Sequence, residues 1–161
     1  MTDCHNHQSC IDDALVAAQT ICKEHGARLT ELRQQVFLLI WQSHKPLGAY
    51  ALMDMLAEES QRRVAPPTVY RALEFLLSLG LVHRINSLNA YIGCSSPEAH
   101  QKPSTVVNQG INYFFICNQC HDTKEVIDAA LAKKITAAGQ KLHFSAQQQW
   151  LEVTGLCQQC Q

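Results

Sequence analysis

Residues 65–84 read APPTVYRALEFLLSLGLVHR. Pro66 and Pro67 suit the first turn of a helix, where a missing N–H leaves no hydrogen bond unmade. Val69, Ala72, Leu73, Leu76 and Leu77 then recur at helical spacing and form one apolar stripe. The opposite face carries Thr68, Arg71, Glu74 and Ser78. Gly80 stands where helices commonly end in the left-handed conformation. LVHRI (81–85) and AYIGC (90–94) follow as two short strand-like runs, parted by the turn NSLN.

Upstream, apolar positions 15, 16, 18 and 22 give a helical face over 12–25, ended by Gly26. Thr30 is expected to cap a second helix over 31–43, with Val36, Leu39 and Ile40 inward. KPLG at 45–48 breaks the pattern, and 49–59 form a third amphipathic segment around Leu52, Met55 and Leu56. Helices followed by a hairpin, the last helix leading straight into it, form the pattern of a winged helix. From Cys94 the texture changes. SSPEAHQKPSTVVNQG is rich in Ser, Pro, Asn and Gly and reads as a linker. A strand (NYFFIC), a turn, a strand (TKEVI), a helix near 128–141 and a strand in QWLEVTG then make a small α/β unit. The expected class is α+β: a winged helix over 1–94, a hinge over 95–111 and a second domain over 112–161.

With 47% hydrophobic residues among 161, the chain can bury a core, and no run of about eighteen apolar residues suggests a membrane span. The net charge is −1, but the first 26 residues are acidic and 27–84 slightly basic, which allows a small basic face. MTDCHNHQSCIDD has no apolar h-region, so the reading expects no secretory signal and a cytoplasmic setting. Thiols stay reduced there, and eight cysteines read first as metal ligands or redox groups.

Cys117 and Cys120, then Cys157 and Cys160, form two C-x2-C pairs with 36 residues between them. Two intervening residues let a tight turn aim both sulfurs at one point, and four thiolates at about 2.3 Å suit tetrahedral zinc. The alternatives are two independent turns or a redox pair; paired spacing in a reduced compartment favours zinc. Four protein ligands close the coordination sphere, so the site is expected to be structural, contributing on the order of 10 kcal/mol of folding energy. His83, Cys94, His100 and Glu125 form a less conspicuous set of mixed donors, drawn from the expected hairpin, hinge and second domain. Arg71 and Thr68 sit on the polar face of the last helix. An arginine there either hydrogen-bonds guanine or is simply solvated. Tyr50 either reaches nucleic acid or packs against the core. CHNHQSC at 4–10 offers Cys4, His5, His7 and Cys10 as ligands, or is a polar tail. Cys22, on an apolar helix face, reads as a small buried hydrophobe.

RLTELRQQVF, APPTVYRALEFLLSLGLVHRI, NAYIGC, FFICNQC, TKEV and GLCQQC together resemble the ferric-uptake-regulator superfamily over about residues 12–161. Iron and peroxide sensors of that superfamily usually carry an HHDH-type sequence before the first cysteine pair. Here that place reads INYFFIC, without histidine, which is similar to the zinc-sensing branch. The resemblance implies a second zinc held by His83, Cys94, His100 and Glu125, hence two zinc ions per chain. It also implies a homodimer formed by the second domain, and double-stranded operator DNA bound through Thr68, Tyr70, Arg71 and Tyr50. Asp54 matches a position that bridges neighbouring dimers in enterobacterial relatives, but its partner position is Ala57, so that bridge is not carried over. The implied function is a zinc-responsive repressor of zinc-uptake genes; an iron- or peroxide-sensing regulator is the alternative. No catalytic triad, phosphate loop or open metal position suggests an enzyme.

Overall fold

The computed structural model describes residues 7–43, 45–60, 64–97, 112–144 and 150–161. The chain divides into two compact units between Glu98 and Ala99. The first holds α1 (His7–Glu24), α2 (Glu31–Trp41), β1 (Leu47–Gly48), α3 (Ala49–Ser60), α4 (Pro66–Ser78), β2 (Val82–Ile85) and β3 (Ala90–Gly93). The second holds β4 (Asn112–Cys117), β5 (Thr123–Val126), α5 (Ala129–Lys141) and β6 (Trp150–Gly155). The class is α+β. His100, Cys4 and His5 lie outside the described residues.

The first unit is built around the face that the sequence marks as apolar. Val36, Phe37, Leu39 and Ile40 of α2 meet Leu52 and Leu56 of α3 and Val69, Ala72, Leu73 and Leu76 of α4 in one buried cluster. Cys22 lies in that cluster, and burial pushes its thiol above the ordinary value. Pro66 and Pro67 occupy the first helical positions of α4. At its other end Gly80 takes φ +64°, the Gly80 N–H donates to the Leu77 carbonyl and the Leu81 N–H to the Leu76 carbonyl, both at 3.0 Å. This Schellman turn satisfies the last carbonyls of the helix and sends the chain straight into β2. Gly26 closes α1 with the same geometry: φ +60°, with the Ala27 N–H on the Cys22 carbonyl at 2.8 Å.

Three details differ from the sequence reading. α1 begins at His7, so residues 7–10, read as part of a polar tail, form its first turn; the His7 imidazole lies 3.0 Å from the Gln42 carbonyl. Thr30 stands at the start of α2, but its side chain makes no capping hydrogen bond. Leu47–Gly48, read as a break, pairs with β3 and gives a sheet of order β1-β3-β2.

In the second unit the sheet order is β5-β4-β6, with β5 antiparallel and β6 parallel to β4. The parallel pair requires a crossover, and α5 supplies it. Asp128 starts that helix by accepting from the Ala130 and Leu131 N–H groups at 2.7 and 3.1 Å. α5 covers one face of the sheet through Tyr113, Leu131, Ala132, Ile135 and Leu151.

Gly93 ends β3 against the face of the Trp41 indole: a Cβ there would lie 2.4 Å from its Cε2. Real contacts do not come so close, so the ring or the strand must move. Gly48, in the same sheet, has nothing within 4 Å of such a Cβ. Gly93→Ala is expected to destabilise the first unit by about 1–3 kcal/mol, and Gly48→Ala to leave it nearly unchanged, read as paired thermal-unfolding midpoints.

Candidate functional site

The parallel register of β4 and β6 brings the two cysteine pairs together. Cys117 stands opposite Gly155, so both strands end at the same edge and both C-x2-C turns begin there. The Asn118 N–H donates to the Gly155 carbonyl at 2.8 Å and ties the first turn to the end of β6. The turns themselves close by the His121 N–H on the Cys117 carbonyl at 3.0 Å and the Cys160 N–H on the Cys157 carbonyl at 2.9 Å. His121 adopts φ +60° as the chain turns back toward β5.

As a result the sulfurs of Cys117, Cys120, Cys157 and Cys160 all lie within 4.8 Å of one another. Cys120 Sγ and Cys157 Sγ are 3.7 Å apart. A tetrahedral ion with arms of about 2.3 Å has sulfur–sulfur edges of about 3.8 Å. Backbone N–H groups, first that of Cys120 and next that of Cys157, hold the Cys117 thiol down to about 6; the Cys157 N–H lies 3.4 Å from its sulfur. Cys160 is pushed up to about 12, foremost by its side-chain hydrogen bond with Cys157. At Cys120 the Asp122 N–H favours the thiolate, but the hydrogen bond with Cys117, burial and the neighbouring Cys157 outweigh it, and the thiol is raised. One thiolate forms readily and further negative charge in the same place is resisted. A divalent cation removes that resistance, and the donor set fits zinc.

His83 and Cys94 come from the hairpin of the first unit. His83 pairs with Ile92 in register, and the Cys94 N–H donates to the Leu81 carbonyl at 3.1 Å just beyond the ladder. Both residues are buried, with ligand atoms within 4.8 Å of each other. Glu125 belongs to β5 of the second unit. It stands opposite Phe114, on the sheet face away from Tyr113 and α5, and is half-buried.

The helix α4 presents the polar face expected of it. Thr68, Tyr70, Arg71 and Glu74 are exposed while Val69, Ala72, Leu73 and Leu76 are buried. Tyr50, in the first turn of α3, is 75% exposed, so the core-packing alternative is not its role. Asp54 is exposed on the same helix. The groups that the sequence reading did not identify are the backbone N–H donors of Cys120 and Cys157. Position alone selects them, and only the C-x2-C spacing hinted at such turns.

Residues 24–154 match the ferric uptake regulator family. The chain is 32% identical over 148 residues to the zinc uptake regulation protein of Escherichia coli strain K12, covering 92% of this chain and 81% of that protein. Among solved structures, it is similar to a zinc uptake regulator complexed with zinc and DNA, with TM-score 0.82, 32% identity and coverage of 93% and 94% of the two chains. It is similar also to holo XcZur, with TM-score 0.78, 39% identity and coverage of 91% and 95%.

Stripping metal from the full chain with a strong chelator is expected to abolish hydrogen-exchange protection at Ile116 and Val153. Protection at Leu39 and Ile40 should persist, because those residues are buried in a separate core. Cys157→Ser should reproduce that pattern without chelator, read by hydrogen-exchange mass spectrometry alongside zinc content.

Proposed function

The chain belongs to the ferric uptake regulator family, and from that membership we propose how it acts: it is a zinc-responsive transcriptional repressor that binds operator DNA as a dimer when loaded with zinc and represses zinc-uptake genes. The likeness to a zinc uptake regulator complexed with zinc and DNA carries this reading. Zinc over iron is supported by INYFFIC, which brings no histidine to the approach to Cys117. The reading makes the chain a regulator rather than an enzyme, and its setting is the cytoplasm.

Two zinc ions per chain have different tasks. Cys117, Cys120, Cys157 and Cys160 hold one permanently and join the ends of β4 and β6. His83, Cys94, His100 and Glu125, carried over from the resemblance, hold the second. Each bound ion supplies a divalent charge that offsets its anionic donors and crosslinks the segments bearing them. Because the second set draws on the hairpin, the hinge and β5, its occupation links the angle of the DNA-reading unit to zinc concentration. A coupling of a few kcal/mol changes operator affinity by roughly a hundredfold.

Two copies match two half-sites. Phe115, Val153 and Leu156 leave a partly exposed apolar surface at one end of the sheet of the second unit, which supports a homodimer formed there. On DNA, Arg71 donates to a guanine edge, and Thr68, Tyr70 and Tyr50 contact phosphates or bases beside it.

Zinc titration of the purified chain is expected to fill two sites, with operator affinity following the second. Cys94→Ser should remain folded and dimeric with one ion and bind operator at no zinc level. Normal operator binding by that variant would overturn the ligand assignment. Arg71→Ala should weaken operator binding by about 1–3 kcal/mol and relax sequence preference while leaving thermal stability unchanged, measured by fluorescence anisotropy against matched and mismatched duplexes.

A further inference from the structure

Resting on the reading of His83 and Cys94 as zinc ligands above, we infer that Trp41 is a positioning residue for that pair: its indole backs the strands that carry both ligands, and the fit of the ring against Gly93 sets how tightly zinc is held there. Side chains of the hairpin alternate between its two faces. Val82 stands opposite Gly93 and Arg84 opposite Tyr91, so these four share one face; His83 and Ile92 are paired on the other, which Ile85 shares. Val82 and Tyr91 lie in the core cluster with α2 and α4, whereas Ile85 and Ile92, though buried, do not. The ligand atoms of His83 and Cys94 meet within 4.8 Å. His83 thus leaves the face of the strands opposite the one that the core supports.

Gly93 is the gap in the core-facing row, and the indole fills it. A Cβ at 93 would lie 2.4, 2.5 and 2.9 Å from Cε2, Nε1 and Cδ2 of Trp41, so the ring rests on bare backbone. That backbone leads straight to both ligands. Gly93 pairs with Val82, one residue before His83, and the next N–H, that of Cys94, donates to the Leu81 carbonyl at 3.1 Å. The ring is itself fixed from behind: its centroid lies 6.0 Å from that of Phe37, one turn earlier on α2 and almost fully buried. The carbonyl of the next residue, Gln42, is met by the His7 imidazole at 3.0 Å, so the end of α2 is gripped from two sides. Trp41 Nε1 is buried with no hydrogen-bond partner among the described residues. Shape rather than a hydrogen bond therefore keeps the indole in place, and its N–H adds nothing to the hold. Zinc–ligand distances vary by only about 0.2 Å, so a support that fixes the backbone behind both donors acts on affinity.

The test uses the full-length chain already holding one zinc and measures its affinity for the next by competition with a chromophoric chelator. Trp41→Leu keeps an apolar side chain without the flat ring and is expected to weaken that affinity about tenfold, while the four-cysteine site stays filled. Trp41→Phe keeps a flat ring and discards the unpartnered N–H, and should bind close to wild type. Gly93→Ala displaces the ring from the other side and should weaken the same affinity; Gly48→Ala, in the same sheet with open space around it, should not. Leu52→Ala leaves a cavity in the core on α3. It should lower the unfolding midpoint at least as far as Trp41→Leu does and leave zinc affinity unchanged, which a merely structural role for Trp41 does not predict. Equal loss of affinity in Leu52→Ala and Trp41→Leu, or wild-type affinity in both Trp41→Leu and Gly93→Ala, overturns the role of Trp41. A wild-type chain that takes up no second zinc overturns the ligand reading itself, a result separate from the behaviour of Trp41.

Discussion

The parallel pairing of β4 with β6 is the constraint on which the second unit depends. Among the described residues the sheet has three strands and one covering helix, and the cluster between them is small: Tyr113 and Ala132, with Leu131, Ile135 and Leu151 partly covered. So little apolar burial rarely holds a small unit together without a metal, a disulfide or a partner. Parallel pairing also joins segments far apart in the chain, and closing such a loop is entropically unfavourable. A tetrahedral ion held by the four cysteines at the ends of β4 and β6 would act at the position where that loop closes. Phe115, Val153 and Leu156 lie near the same end of the sheet and are substantially exposed, so a second copy that covered them would add the burial that one chain lacks. In this account metal and dimer stabilise the same fold from two sides.

The first unit needs no such staple. α2, α3 and α4 share a core that includes Phe37, Leu39, Ile40, Leu52, Leu56, Leu73 and Leu76, all almost fully buried. Its functional consequence comes from how α4 ends. The Schellman turn at Gly80 leaves no slack between the helix and β2, so the Arg71 face and His83 are set by a continuous run of ordered backbone. Trp41 adds a second restraint by lying against Gly93, one residue before Cys94. A change in how His83 and Cys94 are held can reach the exposed side chains of α4 through few intervening bonds.

Much of this was legible in the residues because local chemistry agreed with the tertiary outcome. The helix of 66–78 carried its proline start, its apolar stripe and its glycine stop in sequence, and each signal has one physical meaning. Each C-x2-C turn was legible for the same reason, since its geometry is local; the meeting of the two turns was inferred from their matched spacing, and it is the non-local β4–β6 pairing that achieves it. What the sequence left out was non-local. The strand Leu47–Gly48 has no periodicity of its own and exists only because Ala90 and Tyr91 lie beside it. The first turn of α1 has no apolar repeat, so nothing in CHNHQSC separated helix from tail. Nor did the strand pattern around the cysteines state that β6 runs parallel to β4. His100 remains a matter of resemblance alone.

The two proposed zinc sites differ in the way a sensor requires. Four thiolates within one unit form a closed set whose turns are already hydrogen-bonded and aimed, so little ordering remains when the ion binds. The mixed set draws its donors from well-separated positions in the chain, 83, 94, 100 and 125. Thiolate is also a softer and better zinc donor than carboxylate, and the mixed set has one cysteine against four. Both differences lower the affinity of the second set relative to the first. On the proposed function, a falling zinc supply would empty the mixed set before the four-cysteine set. That order would let the chain release its operator without unfolding, which a single shared site could not do.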